Sequence, residues 1–392
     1  MTEIFLIIFF ISVLLFFLGS GIWVAISMIG VSTIGMMLFT SRPVGDAMAT
    51  TIWGTSSSWT LTALPLFVWM GEILFRTKLS ENLFAGLSPW MQKLPGGLIH
   101  VNVVGCALFA AISGSSAATV ATVGKMSIPE LRKRKYPEKI LLGSLAGSGT
   151  LGLLIPPSII LIIYGVTVQE SIAKLFIAGI IPGIMIALIF MSYVIIWSLI
   201  NKKSMPKYVE NFSFLEKIKK SKQLLPVIIL ISAVIGSIYT GVATATEAAS
   251  LGVVGALILS YFQKSLTIET FKQSLLGATK TSCMIAFILA GSTFLSLAMG
   301  FTGLPRNLAI WIQNMELSPY VLIFVLMIFY IILGMFLDGI SAVVLTMAII
   351  EPMIRQAGFD MIWFGIFLVI VVEMAQITPP VGFNLFVLQG MA

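Results

Sequence analysis

Residues 149–165 of the sequence, GTLGLLIPPSIILIIYG, are apolar enough to cross a membrane, yet two adjacent prolines, Pro156 and Pro157, lie near their centre. Proline has no backbone N–H and clashes with the preceding turn, so a helix cannot run straight through this pair. In a bilayer, the freed backbone groups are tolerated only where protein buries them or where they line a cavity. The stretch therefore predicts a membrane helix that is broken at a binding site.

The composition supports a membrane setting for this stretch. Hydrophobic residues make up 58% of the 392 residues, charged residues make up 10%, and the mean hydropathy is +1.05. These values predict an all-α polytopic membrane protein with about ten segments of roughly 20 residues each. His100 is the single histidine, so the sequence has too few histidines for a histidine metal cluster and argues against histidine-based catalysis.

Basic residues are concentrated in two loops. Residues 131–139 contain five of them, and residues 201–222 contain seven lysines. Because basic loops remain on the cytoplasmic side, both loops are predicted to be inside, and threading the chain from them places the N-terminus outside. Contact with anionic headgroups of the lipid bilayer is the alternative role for these residues. No nucleic-acid partner is expected.

The broken segment has a counterpart near the end of the sequence. Residues 376–390, QITPPVGFNLFVLQG, contain a second pair, Pro379 and Pro380, which follows the first pair by 223 residues. Upstream of the two pairs, residues 112–131 and 337–354 share a glycine, a serine and a proline in the same order and at nearly the same offset. This ordered series predicts an internal repeat.

Each upstream segment consists of two short apolar arms around a small polar tip. The arms and tips are Leu98–Ile112, Ser113–Ser116 and Ala117–Ile128 in the first segment, and Val321–Leu337, Asp338–Ser341 and Ala342–Ile354 in the second. Neither second arm is long enough to span a bilayer comfortably, which predicts two re-entrant helical hairpins. Non-helical backbone at that depth again indicates a cavity.

Threading gives the two halves opposite orientations, since the first hairpin enters from inside and the second from outside. The predicted spanning helices are Ile4–Leu18, Gly21–Phe39, Leu61–Phe75, Ala173–Ile200, Leu224–Tyr239, Glu247–Phe262 and Gly277–Met299. Inverted-topology repeats with two proline-broken helices are typical of transporters that bind an ion and a substrate at the midplane. Freed carbonyls and hydroxyls suit sodium, and the positive half-helix N-termini suit an anion.

Five motifs together resemble the large membrane subunit of tripartite ATP-independent periplasmic (TRAP) transporters, the DctM-like family. They are SGSSAATVATVG, GSGTLGLLIPPS, GVATATEAAS, DGISAV and QITPPVGFNLFV. The resemblance implies an elevator-type secondary transporter of the ion-transporter superfamily in the bacterial inner membrane, with a periplasmic N-terminus. It implies sodium as the coupling ion, no other cofactor, and an organic anion such as sialic acid, another sugar acid or a C4-dicarboxylate. It also implies two partners, a small four-helix membrane subunit and a periplasmic substrate-binding protein.

The resemblance places two sodium sites on this chain. The first would use the tip residues Ser113, Gly114, Ser115 and Ser116 with an unwound stretch that contains Gly149, Thr150, Gly152 and Pro156. The second would use Asp338, Gly339 and Ser341 with Thr378, Pro379 and Gly382. Substrate contacts are expected from Ser116, Ser341 and Asn384.

The repeat also divides the chain into five regions. They are scaffold helices at 1–96, the first half of a transport unit at 97–166, a connecting helix and basic loop at 167–223, further scaffold and connecting helices at 224–318, and the second half of the transport unit at 319–392. By the logic of the repeat, one more helix is expected to follow residue 392.

Four charged residues allow two interpretations each. Asp338 would serve an ion or gating role or would cap the second hairpin, because a carboxylate within a membrane is costly. Glu247 would complete a capping box with Thr244 or would contact the transport unit. Glu373 follows an unbroken apolar run, so a functional role and a structural role stay equally open. Lys125 would reach the inner surface or contact the substrate.

Two rival functions remain open from the sequence. An ion channel can also be built from re-entrant half-helices, and a flux that saturates and requires sodium would separate the transporter from it. An intramembrane enzyme is the second rival, but the sequence has no Ser–His arrangement and no paired catalytic aspartates for acid–base work. The prediction is therefore a transporter and not an enzyme.

Overall fold

A computed structural model describes residues 2–77, 79–206, 212–305, 307, 310, 318–379 and 382–391. Within these residues, every secondary-structure element whose first and last residues are described is a helix. The α-helices are α1 Thr2–Gly19, α2 Val24–Phe39, α3 Val44–Ser56, α4 Ala63–Phe75, α5 Leu79–Met91, α6 Ile99–Ser113, α7 Ser116–Lys133, α8 Glu138–Gly149, α9 Leu151–Leu154, α10 Ile159–Thr167, α11 Ile172–Ile200, α12 Phe214–Ser221, α13 Leu225–Tyr239, α14 Ala245–Phe262, α15 Ile268–Thr302, α16 Pro319–Gly334, α17 Gly339–Gln356, α18 Met361–Gln376 and α19 Phe383–Gln389. Short 3₁₀ helices span Trp59–Thr62 and Lys202–Ser204.

Within the described ranges, four helices are long and apolar enough to cross a membrane: α11, α14, α15 and α17. Three bent pairs also qualify when each is counted as one span: α3 with the 3₁₀ helix and α4 (53°), α8–α9 with α10 (40°), and α12 with α13 (57°). Many large apolar side chains on these elements are exposed, and Ile181 and Phe262 each expose 77% of their surface. Apolar exposure on this scale requires lipid around the helices. The chain is therefore a multi-pass membrane protein.

The structure contains a helix at each predicted spanning segment, and among the helices with described bounds it adds three that the sequence did not predict: α3, α5 and α12. The helix α3 follows Pro43 and has many small and polar residues, so its apolar pattern is weak. The helix α12 lies within the second basic loop and begins at a capping box formed by Ser213 and Glu216. Part of that loop is therefore helical.

Both predicted hairpins are present as pairs of packed helices. Hairpin 1 consists of α6 and α7, which are joined at Gly114 and Ser115. Gly114 has a φ of +59°, which a residue with a side chain rarely adopts. Hairpin 2 consists of α16 and α17, and Asp338 begins α17 by accepting the backbone N–H groups of Ile340 and Ser341, both at 3.1 Å. The depth of the two hairpins in a bilayer stays a prediction.

The second arms of the hairpins are longer than predicted. Both α7 and α17 contain 18 residues, because each helix continues through an internal proline, Pro129 or Pro352. A proline removes one backbone hydrogen bond and kinks a helix, but the helix can continue where packing holds both sides. The expectation that neither second arm could span a bilayer is therefore wrong for α17, which is long and apolar enough to do so.

Broken helix 1 comprises α8, α9 and α10, and its break lies at the first proline pair. The backbone leaves the helical region at Ile155, and α10 begins after Ser158, whose hydroxyl donates to the Leu153 carbonyl. The set Gly149, Thr150 and Gly152 lies before the break and keeps a helical backbone. The prediction that these three residues are unwound is wrong, and only Pro156 of that set lies in the break.

Broken helix 2 comprises α18 and α19, which are separated by residues 377–382. Gly382 ends this break with a φ of +58°. Pro379 is described within it, whereas Pro380, the other member of the predicted pair, lies outside the described residues.

The two halves of the chain interlock through these elements. The helix α10 packs against α17, and α19 packs against α7, so the last part of each broken helix contacts the hairpin of the other half. Tyr164 on α10 also donates to the Met361 carbonyl at the start of α18, at 2.6 Å. The long helix α15 packs against α2, α3, α4 and α17. The hairpins and broken helices therefore form one packed centre that α4 and α15 flank.

Candidate substrate and ion site

A cavity of about 1210 Å³ lies where the two hairpin tips meet α2, α4 and α15. Most of its lining side chains are apolar. Its polar lining comes mainly from the hairpin tips, and includes Ser113, Ser115, Asp338 and Ser341. An apolar cavity with a few convergent polar groups is the usual form of a small-molecule site.

The first residues of five helices line this cavity, and three of these helices begin at a hairpin tip or at the first proline break. The lining includes Ser115 at the start of α7, Ile159 at the start of α10 and Ile340 at the start of α17. The N-terminus of a helix carries a partial positive charge and presents unpaired backbone N–H groups. At α17 the Asp338 carboxylate already accepts the Ile340 and Ser341 N–H groups, so of these three ends the starts of α7 and α10 favour a ligand with negative charge.

Lys280 on α15 is the one basic residue among the described residues that line the cavity. The two lining carboxylates are already engaged, because Glu72 pairs with Arg76 and Asp338 caps α17. Lys280 forms no ion pair within the described part of the chain. Its ammonium is therefore available to an anionic group of a solute. Sequence reasoning missed it, although a charge inside the predicted span Gly277–Met299 is a functional signal.

The tip of hairpin 1 holds a small cluster of oxygen atoms. The Ser113 hydroxyl lies 2.8 Å from the Thr119 hydroxyl and 3.3 Å from the Ser115 carbonyl oxygen, and the Thr119 hydroxyl donates to that carbonyl at 2.8 Å. Thr119 is fully buried. The sequence does contain a signal for Thr119 as a member of this cluster, because it lies four residues after Ser115 and residues four apart share one helix face. Converging hydroxyl and carbonyl oxygens are suited to sodium.

The same tip packs directly on broken helix 1. A Cβ atom on Gly152 would lie 2.6 Å from the Ser115 carbonyl oxygen, and one on Gly114 would lie 2.9 Å from the Pro157 carbonyl oxygen. Gly149 lies one turn away and packs on Val120. The structure thus brings most of the first predicted set together, and its glycines permit close backbone approach.

The second predicted set is arranged differently. Gly339 packs on α18, where an added Cβ would lie 2.5 Å from Nε2 of Gln376. The Thr378 hydroxyl, in the break, donates to the carbonyl of Met374 on α18 at 2.7 Å, and Pro379 is exposed. A Cβ on Gly382 would lie 3.4 Å from the Thr378 carbonyl oxygen. Hairpin 2 therefore meets broken helix 2 just before Thr378.

The three predicted substrate residues occupy different surroundings. Ser341 lines the cavity. The Ser116 hydroxyl lies outside the lining and donates to the carboxylate of Glu373, at 3.0 Å from Oε1 and 3.3 Å from Oε2. Asn384 is fully buried outside the lining, and its side-chain amide has no hydrogen-bond partner among the described residues.

The structure also bears on the other charged residues. Asp338 caps α17, as one of its two interpretations predicted. Glu247 completes the predicted capping box, because it accepts the Thr244 backbone N–H at 2.8 Å and its own N–H donates to the Thr244 hydroxyl at 3.3 Å. Lys125 is exposed, which fits a side chain that extends to a surface.

Comparison with known families agrees with this geometry. Residues 10–392 match the model of the family described as tripartite ATP-independent periplasmic transporter, DctM component. The chain belongs to this family. TRAP large permeases transport organic acids and work with a small membrane subunit and a substrate-binding protein.

Several curated relatives have similar sequences. The chain is 33% identical over 353 residues to the C4-dicarboxylate TRAP transporter large permease protein DctM of Pseudomonas aeruginosa. The alignment covers 90% of this chain and 82% of that protein. It is 30% identical to the sialic acid TRAP transporter large permease protein SiaM of Vibrio cholerae, over 94% of this chain and 86% of that one. It is also 30% identical to the isethionate TRAP transporter permease protein DctMQ of Oleidesulfovibrio alaskensis, over 96% of this chain and 59% of that one.

One solved structure shows the same fold. The crystal structure of the YdaH transporter of Alcanivorax borkumensis aligns with a TM-score of 0.64, covering 96% of this chain and 90% of that one. The sequences are only 12% identical, so the likeness concerns the fold of a membrane transporter alone.

Proposed function

We propose that this TRAP large permease carries out sodium-coupled secondary uptake of an organic anion. The observation that carries the proposal is the cavity itself. The starts of α7 and α10 and the side chain of Lys280 border it, and the oxygen cluster of hairpin 1 lies at its edge. One cavity thus combines groups that attract an anion with groups that suit sodium.

The solute is a carboxylate. Two of the relatives are named for solutes that carry carboxylates, C4-dicarboxylate and sialic acid, and a third is named for isethionate, an organic anion with a sulfonate group. Lys280 as the single basic lining residue suits a solute with one carboxylate, and the volume of about 1210 Å³ has room for a sugar. Sialic acid or another sugar acid is therefore the first candidate, and C4-dicarboxylates are the second.

Sodium binds at two places in this proposal. The first is the tip of hairpin 1 with broken helix 1, where Ser113, Ser115, Ser116 and Thr119 of the tip and the Thr150 carbonyl are the candidate oxygen ligands. The second is formed by Asp338, Gly339 and Ser341 of hairpin 2 with the break after α18. Half-helix ends and carbonyls of broken helices are the usual sodium ligands in inverted-repeat transporters.

Alternating access occurs by an elevator motion of the hairpins and broken helices. Residues 97–166 and 319–392 form the transport unit, residues 1–96 and 224–318 supply the scaffold, and residues 167–223 connect them. The reciprocal packing of α10 on α17 and α19 on α7 supports one rigid transport unit. The contacts that must break during movement include that of Ser292 on α15, whose hydroxyl donates to the Val344 carbonyl at 2.6 Å.

The assembly is placed in the bacterial inner membrane with a periplasmic N-terminus. The small four-helix subunit docks on the scaffold helices α1, α2, α13 and α14. These helices expose large apolar side chains such as Leu15 (61%) and Ile229 (57%), which supports a partner or lipid on them. A periplasmic binding protein delivers the solute.

Uptake by the reconstituted complex tests this function. Proteoliposomes containing both membrane subunits receive binding protein loaded with one radiolabelled carboxylate at a time, under a sodium gradient or a proton gradient. We expect saturable uptake that requires inward sodium and is strongest for a sugar acid. Uptake that is unchanged in sodium-free buffer with only a proton gradient would contradict the proposal.

A further inference from the structure

A buried carboxylate lies where the two halves of the transport unit cross. Glu373 on α18 is 4% exposed, and its carboxylate accepts a hydrogen bond from the Ser116 hydroxyl, whose oxygen lies 3.0 Å from Oε1 and 3.3 Å from Oε2. The same hydroxyl lies 3.4 Å from the carbonyl oxygen of Thr150 on broken helix 1. Glu373 follows Thr150 by 223 residues, the offset that also separates the two proline pairs, so the two residues occupy equivalent positions of the repeat.

This carboxylate has no basic partner among the residues that the structure describes. The helices packed against α18 carry two basic residues. Lys174 on α11 is exposed, and Arg355 on α17 pairs with Glu351 of the same helix and with Glu170, which precedes α11. On α7 the first basic residue after Ser116 is Lys125, about 13 Å further along the helix at 1.5 Å per residue. A charged group buried in a membrane protein without a partner is costly and marks a functional site.

The Ser116 hydroxyl brings oxygen atoms from both halves of the chain close to one another. The Ser116 hydroxyl oxygen lies 3.0 and 3.3 Å from the two carboxylate oxygens of Glu373 and 3.4 Å from the Thr150 carbonyl oxygen. Hard cations of this size hold oxygen ligands at about 2.3–2.6 Å, which places neighbouring ligands roughly 3–3.5 Å apart. A serine hydroxyl can turn its lone pairs toward a cation with no movement of its oxygen.

We propose that Glu373 is a ligand of the first sodium ion, which it binds together with the Ser116 hydroxyl and the Thr150 carbonyl. The inference rests on the proposed sodium coupling and adds a carboxylate from the second half of the chain to a site in the first. Sodium then neutralises Glu373 and holds the tip of hairpin 1 against broken helix 2. Occupancy of one ion site thereby joins the two halves of the transport unit.

Sodium binding is measured on the purified complex of the two membrane subunits, without transport. The readout is the midpoint of thermal unfolding as sodium chloride or choline chloride is added, because a ligand of the folded state raises that midpoint. We expect Glu373→Gln to need at least about tenfold more sodium than the wild type for the same shift. Glu138→Gln, which removes an exposed carboxylate at the start of broken helix 1, should respond like the wild type.

Glu373→Asp keeps the charge and covers the case in which Glu373→Gln does not fold. Its carboxylate is shorter by one methylene and reaches Ser116 less well, so it should also need more sodium. Wild-type sodium dependence in either folded variant would overturn the proposal. No sodium response in the wild type and in Glu138→Gln would instead contradict sodium coupling itself.

Discussion

At the scale of single residues, the proposed recognition of an anionic solute depends on a positive group in the cavity, and Lys280 is the basic residue among its described lining residues. Both lining carboxylates are occupied by Arg76 or by backbone N–H groups, so they do not compete for its ammonium. The helix N-termini at the cavity add partial charges but no full one. The strength of solute binding should therefore depend on this side chain more than on any other described residue of the lining.

Replacement of Lys280 tests this dependence. A charge-assisted hydrogen bond contributes about 1.5–3 kcal/mol, so Lys280→Gln should raise the KM for the carboxylate at least tenfold. Lys280→Arg should retain most of the affinity, because it keeps the charge. Lys125→Gln is the matched control, since Lys125 is exposed outside the cavity. A KM for Lys280→Gln that equals the control would remove Lys280 from the site.

Residues also show where reasoning from one sequence stops. The prolines at 156 and 157 predicted the break of the first helix correctly, because proline acts through its own backbone. Gly149 and Gly152 were assigned to unwound backbone, yet they are helical and allow Val120 and the hairpin tip to approach closely. The role of Glu373 stayed open, because its partner Ser116 lies 257 residues away and is brought near only by packing of the two halves.

At the scale of elements, the hairpin tips depend on glycines that tolerate no side chain. Gly114 combines a φ of +59° with an approach of 2.9 Å between an added Cβ and the Pro157 carbonyl oxygen. A left-handed conformation costs a residue with a side chain roughly 1–2 kcal/mol, before the collision is counted. Gly339 has an ordinary φ, but an added Cβ there would meet Gln376 at 2.5 Å and Val372 at 2.9 Å.

Gly114→Leu and Gly339→Leu should each abolish uptake while the protein still reaches the membrane. The bulky side chain would push the tip off its broken helix, and the surrounding helices would remain packed. Gly143→Leu is the control, because an added Cβ at Gly143 meets nothing within 4 Å. Uptake per inserted protein is the measurement. Normal uptake by both tip variants would show that the tips lie away from the site.

Elements were predicted well where an apolar run was long and poorly where it was short or polar. The helix α3 was missed, since Asp46 and several threonines and glycines interrupt its apolar pattern. The hairpins were found from their polar tips, but their second arms continue through Pro129 and Pro352. Whether a proline ends or only kinks a helix depends on tertiary packing, which a single sequence does not contain.

At the scale of the whole molecule, an elevator requires the transport unit to slide past α4 and α15. Ser292 on α15 and Val344 on α17 lie on opposite sides of this boundary and in direct contact. Cysteines at these two positions, in a background with Cys106→Ala and Cys283→Ser, should trap the carrier when a disulfide or a short thiol crosslinker joins them. Uptake should fall to background and return on reduction of the disulfide.

A crosslink within the scaffold serves as the control for this experiment. Phe5 on α1 and Phe39 on α2 are in ring contact at 6.2 Å between centroids, and both belong to the scaffold. Cysteines at these positions should leave uptake intact when they are joined. Full crosslinking between Ser292 and Val344 with unaffected uptake would exclude an elevator and favour a local motion of the hairpins.

Coupling between sodium and solute is the central claim, and sodium movement driven by the solute tests it most directly. Proteoliposomes with both membrane subunits are placed in equal sodium on both sides, and radioactive sodium is added outside with loaded or empty binding protein. Sodium should enter only with loaded binding protein, and its entry should disappear in Gly114→Leu. Sodium entry that is equal with empty binding protein would indicate a channel, and solute uptake without sodium entry would contradict coupling.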